Sequence, residues 1–172
     1  AAMNPCKCGY YPDRSKCHCL PGEVAKYVKR ISRPLLDRID ICVEAAPVTY
    51  RDIRINQKNE SSAAIRARIE QARAIQRERY AGSGIYTNSE MGIREIRRFC
   101  GLQEEEECFL QQIFARLGLS ARGCHKILKV ARTLADLEGK ERIERTHLQE
   151  AAGYRDLQER YWGKEETDGG QA

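Results

Sequence analysis

Four cysteines near the N-terminus constrain this chain more than any other feature, because they tie two loop segments to one point. They form two C-x-C pairs, Cys6-Lys7-Cys8 and Cys17-His18-Cys19, with a glycine and a proline between them that supply a turn. Four thiolates at this spacing can surround a zinc ion tetrahedrally, with Zn–S distances of about 2.3 Å. Since no general base accompanies them, the pattern predicts a closed, structural zinc site. The predicted ligands are Cys6, Cys8, Cys17 and Cys19.

Disulfides, free thiols and a redox or catalytic metal are the alternatives, and His18 could replace one thiolate. Disulfides would suit a small secreted protein with eight cysteines. However, the N-terminus lacks the charged and apolar regions of a signal peptide, and no apolar run approaches the roughly 18 residues that span a bilayer. We therefore expect a cytoplasmic protein without membrane contact. The remaining cysteines fall in apolar patterns typical of small buried residues: Cys42, Cys100, Cys108 and Cys124.

The first 48 residues predict the end of a larger α/β domain. Residues 1–22 are loop-rich and lack helical periodicity, and a short helix is predicted from Glu23 to Lys29. The stretch Ile39-Asp40-Ile41-Cys42-Val43 alternates apolar and polar residues before it becomes continuously apolar, which predicts a strand that ends before Pro47. Because one strand cannot form a sheet, we expect its partners to lie elsewhere in a longer protein.

Helical periodicity governs the chain after a polar, unpatterned linker over residues 49–60. The clearest helix lies between Ser120 and Gly139, where apolar residues from Cys124 to Ala135 recur at helical steps. Ser120 is a typical N-cap, and Gly139 is a typical C-terminal stop. Four further helices are predicted over residues 62–80, 93–100, 104–117 and 145–154.

The chain as a whole is predicted to be mainly α, with a helical bundle over residues 61–157 and a disordered acidic tail over 158–172.

The formal charge of the chain is +5, and the positive excess lies in residues 1–100. This asymmetry suits contact with the phosphates of a nucleotide or a nucleic acid, although a solvated arginine-rich helix also explains most of it.

Two arginines lie where a phosphate could be bound. Arg38 stands between a predicted helix end and the predicted strand, and an arginine fork supplied to a neighbouring subunit can stabilise charge on a transferring γ-phosphoryl group. Its alternative is an ion pair with Asp37 or Asp40. Arg122 lies in the first turn of the clearest helix, where the dipole disfavours a cation but favours a bound anion. Its alternative is a salt bridge to an acidic neighbour.

Four sequence stretches together resemble the AAA+ proteins of the magnesium-chelatase-like competence family, of the ComM/YifB type. They are AAMNPCKCGY at 1–10, PLLDRID at 34–40, GLSAR at 118–122 and ILKVARTLADL at 127–137. The resemblance covers about residues 1–157. Each motif alone is weak, but their combination and order are specific.

This resemblance implies that residues 1–48 end an AAA+ core and that residues 61–157 form a C-terminal helical lid. It assigns Asn4 as the sensor 1 residue, Arg38 as the arginine finger and Arg122 as the sensor 2 arginine. It also implies ATP and Mg²⁺ as cofactors, and a homo-hexameric ring with ATP bound between subunits. DNA would be the partner of such a branch-migration helicase in natural transformation and recombination.

The chain departs from the family most clearly in that it has no phosphate-binding G-x-x-x-x-G-K-[ST] sequence. Gly92 also stands where a serine cap is common, and Lys7 where a proline is common. We therefore expect a C-terminal segment of a longer ATPase, inactive by itself. Two other functions stay open. One is a magnesium chelatase ATPase subunit, although the loop with four cysteines over residues 1–22, here called the cysteine knuckle, favours the competence type by resemblance. The other is a stand-alone zinc-stabilised module that binds nucleic acid through Arg66, Arg68, Arg73, Arg77 and Arg79.

Overall fold

The computed structural model describes residues 1–48, 50 and 60–162, and within them it contains helices and loops but no strand. The prediction of a mainly α chain is therefore confirmed. The chain divides into two units, which are Ala1–Ile39 together with the residues from Asp156 onward, and Asp40–Arg155. None of the described helices combines the length and the apolar character needed to cross a bilayer.

The first unit begins with the loop that carries the four cysteines, followed by two short helices. Helix α1 spans Pro21–Val28 and helix α2 spans Arg33–Leu36. Pro21 occupies the first position of α1, where its missing N–H would have had no helical partner. The Glu23 carboxylate accepts a hydrogen bond of 3.0 Å from the Leu20 N–H. These two features fix the point where the cysteine loop ends and the helix begins.

The first unit has a small hydrophobic core. Its buried members are Cys6, Cys17, Val24 and Val28. The partly buried side chains packed against them are Tyr11, Cys19, Tyr161 and Trp162. Since two of the four buried residues are cysteines of the N-terminal set, these cysteines are part of the core and not of an exposed loop.

The second unit is a helical bundle. Its helices are α3 over Ser62–Arg79, α4 over Ile93–Phe99, α5 over Glu104–Arg116 and α6 over Ala121–Leu137. Helix α7 spans Arg145–Trp162, and its last residues belong to the first unit. A short 3-10 turn over Asn88–Glu90 precedes α4.

Helix α6 organises the bundle, because it contacts α3, α4 and the 3-10 turn. Its buried face includes Ile127 and Ala131, both fully buried. The Ser120 hydroxyl accepts a hydrogen bond of 3.1 Å from the Gly123 N–H and so caps the helix. Gly139 follows the helix with a φ of 69°, a conformation that glycine adopts without strain. The predicted cap and the predicted stop are both confirmed.

The predicted strand over residues 39–43 is not formed. Residues 41–48 have no regular secondary structure. Instead, the Cys42 N–H donates a hydrogen bond of 3.0 Å to the Tyr154 carbonyl of α7, and Asp40 pairs with Lys126 of α6 at 2.7 Å. A strand needs a neighbouring strand to take its backbone hydrogen bonds, and the described part of the chain offers none. The alternation of apolar and polar residues over 39–43 is therefore not sufficient to form a strand.

Two helices differ from the prediction in length or in burial. Helix α7 runs to Trp162 instead of ending near Tyr154, so residues 158–162 of the predicted tail are helical. On α3, Ile65 and Ile69 are 37% and 46% exposed, and burial is confined to the second half of the helix. The predicted linker over 49–60, apart from residues 50 and 60, and the tail beyond residue 162 lie outside the described residues.

Candidate functional site

The four cysteines predicted as metal ligands lie together, with all four Sγ atoms within 4.8 Å of one another. The Cys8 Sγ lies 3.3 Å from that of Cys6, 3.6 Å from that of Cys17 and 3.6 Å from that of Cys19. Sulfurs bound to a tetrahedral zinc ion at about 2.3 Å lie about 3.8 Å apart, whereas a disulfide joins sulfurs at about 2.05 Å. The separations therefore fit four ligands of one metal ion.

Two tight turns bring the C-x-C pairs together. The Gly9 N–H donates a hydrogen bond of 3.2 Å to the Cys6 carbonyl, and Gly9 has a φ of 84°, in the left-handed region that favours glycine. The Cys17 N–H donates to the Asp13 carbonyl at 2.8 Å. The Asp13 carboxylate in turn accepts hydrogen bonds from the Ser15 N–H and hydroxyl at 3.0 and 2.6 Å. The loop is thus shaped by its backbone on both sides of the cluster.

The surroundings of the four cysteines favour the ionised form of Cys6 and disfavour that of Cys17. Burial opposes charge on Cys6, but hydrogen bonds from the backbone of Tyr11 and Gly9 and from the neighbouring thiols outweigh it and lower the pKa of Cys6 to about 6. Burial, together with hydrogen bonds to Cys8 and to Cys6, raises the pKa of Cys17 to about 11. A bound cation is the group that would allow all four thiols to ionise together.

Cysteine sulfurs alone form this donor set within the described residues, since the exposed His18 lies outside it. Among the other cysteines, Cys100 is buried as predicted, and Cys42 and Cys124 are half-buried. The prediction that Cys108 is buried is wrong, because the buried face of α5 passes through Leu110 and Ile113 instead.

Arg38 lies just after helix α2, and its side chain is exposed. Its backbone N–H donates to the Leu35 carbonyl at 3.0 Å. The guanidinium forms no ion pair with any described residue, and the alternative partner Asp40 pairs with Lys126 at 2.7 Å. The Arg38 side chain is therefore available to a group outside the described chain.

Arg122 occupies the second position of α6 and is exposed. No acidic side chain of the described residues pairs with it, so the alternative of a salt bridge is not realised. The positive end of the helix dipole and the guanidinium lie close together, and both attract an anion. The charge at this end of α6 is thus of the sign that attracts a phosphate group.

Asn4 lies in the N-terminal loop beside the first turn of the cysteine knuckle. A Cβ atom at Gly9 would stand 3.7 Å from the Asn4 Nδ2. Asn4 and Arg38 belong to the first unit, whereas Arg122 belongs to the second.

Helix α3 does not present all five of its arginines to solvent. Arg68 pairs with Glu60 at 3.0 Å, and Arg79 is largely buried against Asp136. The three that are exposed without an ion pair are Arg66, Arg73 and Arg77. In the alternative of a nucleic-acid-binding module, Arg79 is therefore not available to bind phosphates, and the charge of Arg68 is partly neutralised by Glu60.

The sequence patterns did not reveal a buried ionic network in the second unit. The Asp136 carboxylate is fully buried and accepts hydrogen bonds from Arg79 at 2.5 and 2.7 Å, from Arg132 at 3.1 Å, from Asn88 at 2.8 Å and from Gln76 at 3.2 Å. Burial opposes its charge, but the hydrogen bonds from Arg79 and Asn88 and the nearby positive charges outweigh burial and lower the pKa of Asp136. One part of this network could have been found in the sequence. Arg132 and Asp136 stand four residues apart on a helix with a strong apolar stripe, a spacing at which opposite charges pair.

Known proteins match almost the whole chain. The family model of the magnesium chelatase subunit ChlI C-terminal region matches residues 59–155, and that of subunit ChlI matches residues 1–53. The competence protein ComM of Haemophilus influenzae is 38% identical over 156 residues, which cover 90% of this chain and 30% of ComM. The uncharacterized protein YifB of Escherichia coli is 38% identical over 157 residues, with the same two coverages. An uncharacterized protein of Mycobacterium tuberculosis is 32% identical over 139 residues, 81% of this chain and 27% of that protein.

The helical bundle and these matches define a C-terminal region of the magnesium chelatase type. The chain belongs to the magnesium-chelatase-like family that includes ComM and YifB. It spans about 30% of the length of these two relatives. The predicted family is thus confirmed, whereas the roles of Asn4, Arg38 and Arg122 stay predictions.

Proposed function

We propose that this chain is the sensor and lid segment of a homo-hexameric AAA+ ATPase that acts on DNA in the cytoplasm. In this proposal, residues 1–48 complete an AAA+ core, residues 49–60 link it to the lid, and residues 61–157 form the lid. The observation that carries the nucleotide role is Arg122, exposed at the start of a buried helix and without an ion-pair partner among the described residues.

Arg122 is proposed to contact the phosphates of ATP bound to its own subunit. A cation at the positive end of a helix is disfavoured by about 0.3–1 kcal/mol. That penalty is offset when an anion lies between the guanidinium and the first-turn N–H groups. The guanidinium also supplies several N–H donors in one plane, which suits the oxygens of a phosphate.

Arg38 is proposed to act as the arginine finger on ATP bound by the neighbouring subunit, and Asn4 to orient the attacking water. A guanidinium supplied from a second subunit stabilises the charge of the transferring γ-phosphoryl group. ATP and Mg²⁺ themselves require a phosphate-binding loop and acidic ligands, and no such loop occurs in this sequence. The segment is therefore proposed to depend on the rest of the ATPase for activity.

The substrate is proposed to be branched DNA during recombination and natural transformation. The support is the 38% identity to a protein whose name records a role in competence. Within this chain, exposed arginines on α3 provide positive charge that suits the DNA backbone. A magnesium chelatase subunit stays the alternative, because the same family models describe it.

The four N-terminal cysteines are proposed to hold a structural zinc ion. Soft thiolate ligands in a tetrahedral set favour zinc, and four of them leave no open position for a substrate. We expect about one equivalent of zinc in protein purified under reducing conditions, measured by elemental analysis. Less than about half an equivalent would count against the site.

ATP hydrolysis by the full-length protein tests the two arginine roles. Arg38→Ala is expected to lower kcat by about 10³-fold or more, since arginine fingers contribute about 10³–10⁵-fold. Arg122→Ala is expected to lower kcat/KM for ATP, because it removes a contact to the nucleotide. Arg116→Ala is the matched control, since Arg116 is an exposed arginine at the end of α5. Rates that equal the control in both variants would remove the assigned roles.

A further inference from the structure

The C-terminal end of helix α7 packs onto the core of the cysteine knuckle. The Trp162 indole N–H donates a hydrogen bond of 2.9 Å to the Val28 carbonyl at the end of α1. The Tyr161 ring lies edge-to-face against the Tyr11 ring, with a centroid distance of 6.1 Å, and its centroid is 5.9 Å from that of Trp162. The knuckle therefore holds the last two aromatic residues of a helix that begins in the other unit.

Tyr11 connects this aromatic contact to the cysteines. Its ring contacts Tyr161, and its side chain packs against the core that contains Cys6 and Cys17. Cys6 and Cys17 are two of the four residues that form the buried core under Tyr161 and Trp162. A change in the arrangement of the sulfurs must therefore move the surface on which the end of α7 rests.

The buried core of the first unit is small. Four residues are buried in it, and the cysteines of the knuckle are free thiols. Small units bury a low fraction of their surface and are only marginally stable by themselves, so a cross-link would stabilise this one. A metal ion that joins four ligands would supply this missing cross-link, and the folding energy of such sites comes largely from the metal.

We propose that metal binding at the four cysteines controls the docking of the end of helix α7, so that the knuckle is a metal-dependent anchor for that helix. This inference rests on the zinc site proposed above. With the metal bound, the Tyr11 ring is held in position to contact Tyr161, and the Val28 carbonyl is held in position to accept the hydrogen bond from Trp162. Without it, the four thiols no longer share a centre, and the end of α7 is released. The family model that matches the helical bundle ends at residue 155, before Tyr161 and Trp162.

Tryptophan fluorescence measures the anchor directly, because the chain has a single tryptophan. Removing zinc from the full chain with a chelator is expected to shift Trp162 emission to longer wavelength, as the indole moves into water. Cys8→Ser is expected to give the same shift with zinc present. Cys8 is exposed, so its replacement removes a ligand without leaving a cavity in the core. Cys108→Ser is the matched control, an exposed cysteine outside the knuckle, and is expected to behave as the wild type.

Zinc affinity provides the reciprocal measurement, since two linked equilibria must affect each other equally. Tyr161→Ala is expected to weaken zinc binding several-fold, because docking then contributes less to the bound state. Tyr86→Ala is the control, since Tyr86 is 71% exposed in the second unit, and it is expected to bind zinc normally. Circular dichroism confirms in each variant that the helical bundle is intact.

The two proposals fail in different ways. If the wild type binds one equivalent of zinc but Trp162 emission is the same in the loaded and stripped forms, the anchor is overturned and the zinc site stands. If the folded wild type takes up no zinc, both are overturned. Should Cys8→Ser fail to fold, the chelator titration of the wild type decides the question without a substitution.

Discussion

Asp136 is the residue on which four polar side chains of the second unit converge. It accepts hydrogen bonds from two arginines, an asparagine and a glutamine, and its side chain has no contact with solvent. Removing one partner from a buried charge network costs about 3–5 kcal/mol, because the opposite charges stay buried without compensation. We therefore expect Asp136→Asn to lower the free energy of unfolding by about this amount in denaturant titrations. Glu70→Gln, at an exposed position of α3, should change it by less than about 0.5 kcal/mol.

The same carboxylate should give the bundle an acid-sensitive component of stability. Its pKa is lowered in the folded state, so its contribution is complete above the unfolded pKa of about 3.9 and is lost as pH falls through the folded value. We expect the unfolding free energy to fall below about pH 4 in the wild type and to fall less steeply in Asp136→Asn. Equal slopes in the two proteins would show that Asp136 is not the group responsible.

Helix α6 carries Arg132 and Asp136 of the network as well as the proposed sensor 2 arginine, so its N-cap matters at the scale of the element. The Ser120 hydroxyl accepts the Gly123 N–H at 3.1 Å. Ser120→Ala is expected to lower stability by about 1 kcal/mol, whereas Ser120→Gly should lower it by only a few tenths of that. Thermal or denaturant unfolding of the two variants checks the difference. Equal losses would mean that the hydroxyl does not cap the helix.

Local patterns predicted some elements and failed for others for a physical reason. The Ser120 cap, the Gly139 stop and the cysteine cluster depend on residues close together in the sequence, and all three lie where they were predicted. The Arg79–Asp136 pair joins positions 57 residues apart, and no local pattern contains that information. Residues 39–43 alternate like a strand, but pairing requires a neighbour that the described residues do not provide.

At the scale of the whole molecule, the chain holds the residues proposed to sense a nucleotide but not the loop that would bind its phosphates. It corresponds to about 30% of the length of ComM and YifB. The proposed roles differ in one testable respect. Arg122 is proposed to serve the ATP of its own subunit, whereas Arg38 is proposed to serve the ATP of the neighbour.

Mixing two inactive variants of the full-length protein tests this division most directly. An Arg38→Ala subunit keeps its own Arg122, and an Arg122→Ala neighbour still supplies Arg38 across the interface. Random mixing would therefore restore wild-type composition at about a quarter of the sites in a ring of identical positions. The account predicts that the mixture hydrolyses ATP clearly faster than either variant alone. A mixture no faster than the average of the two would contradict it.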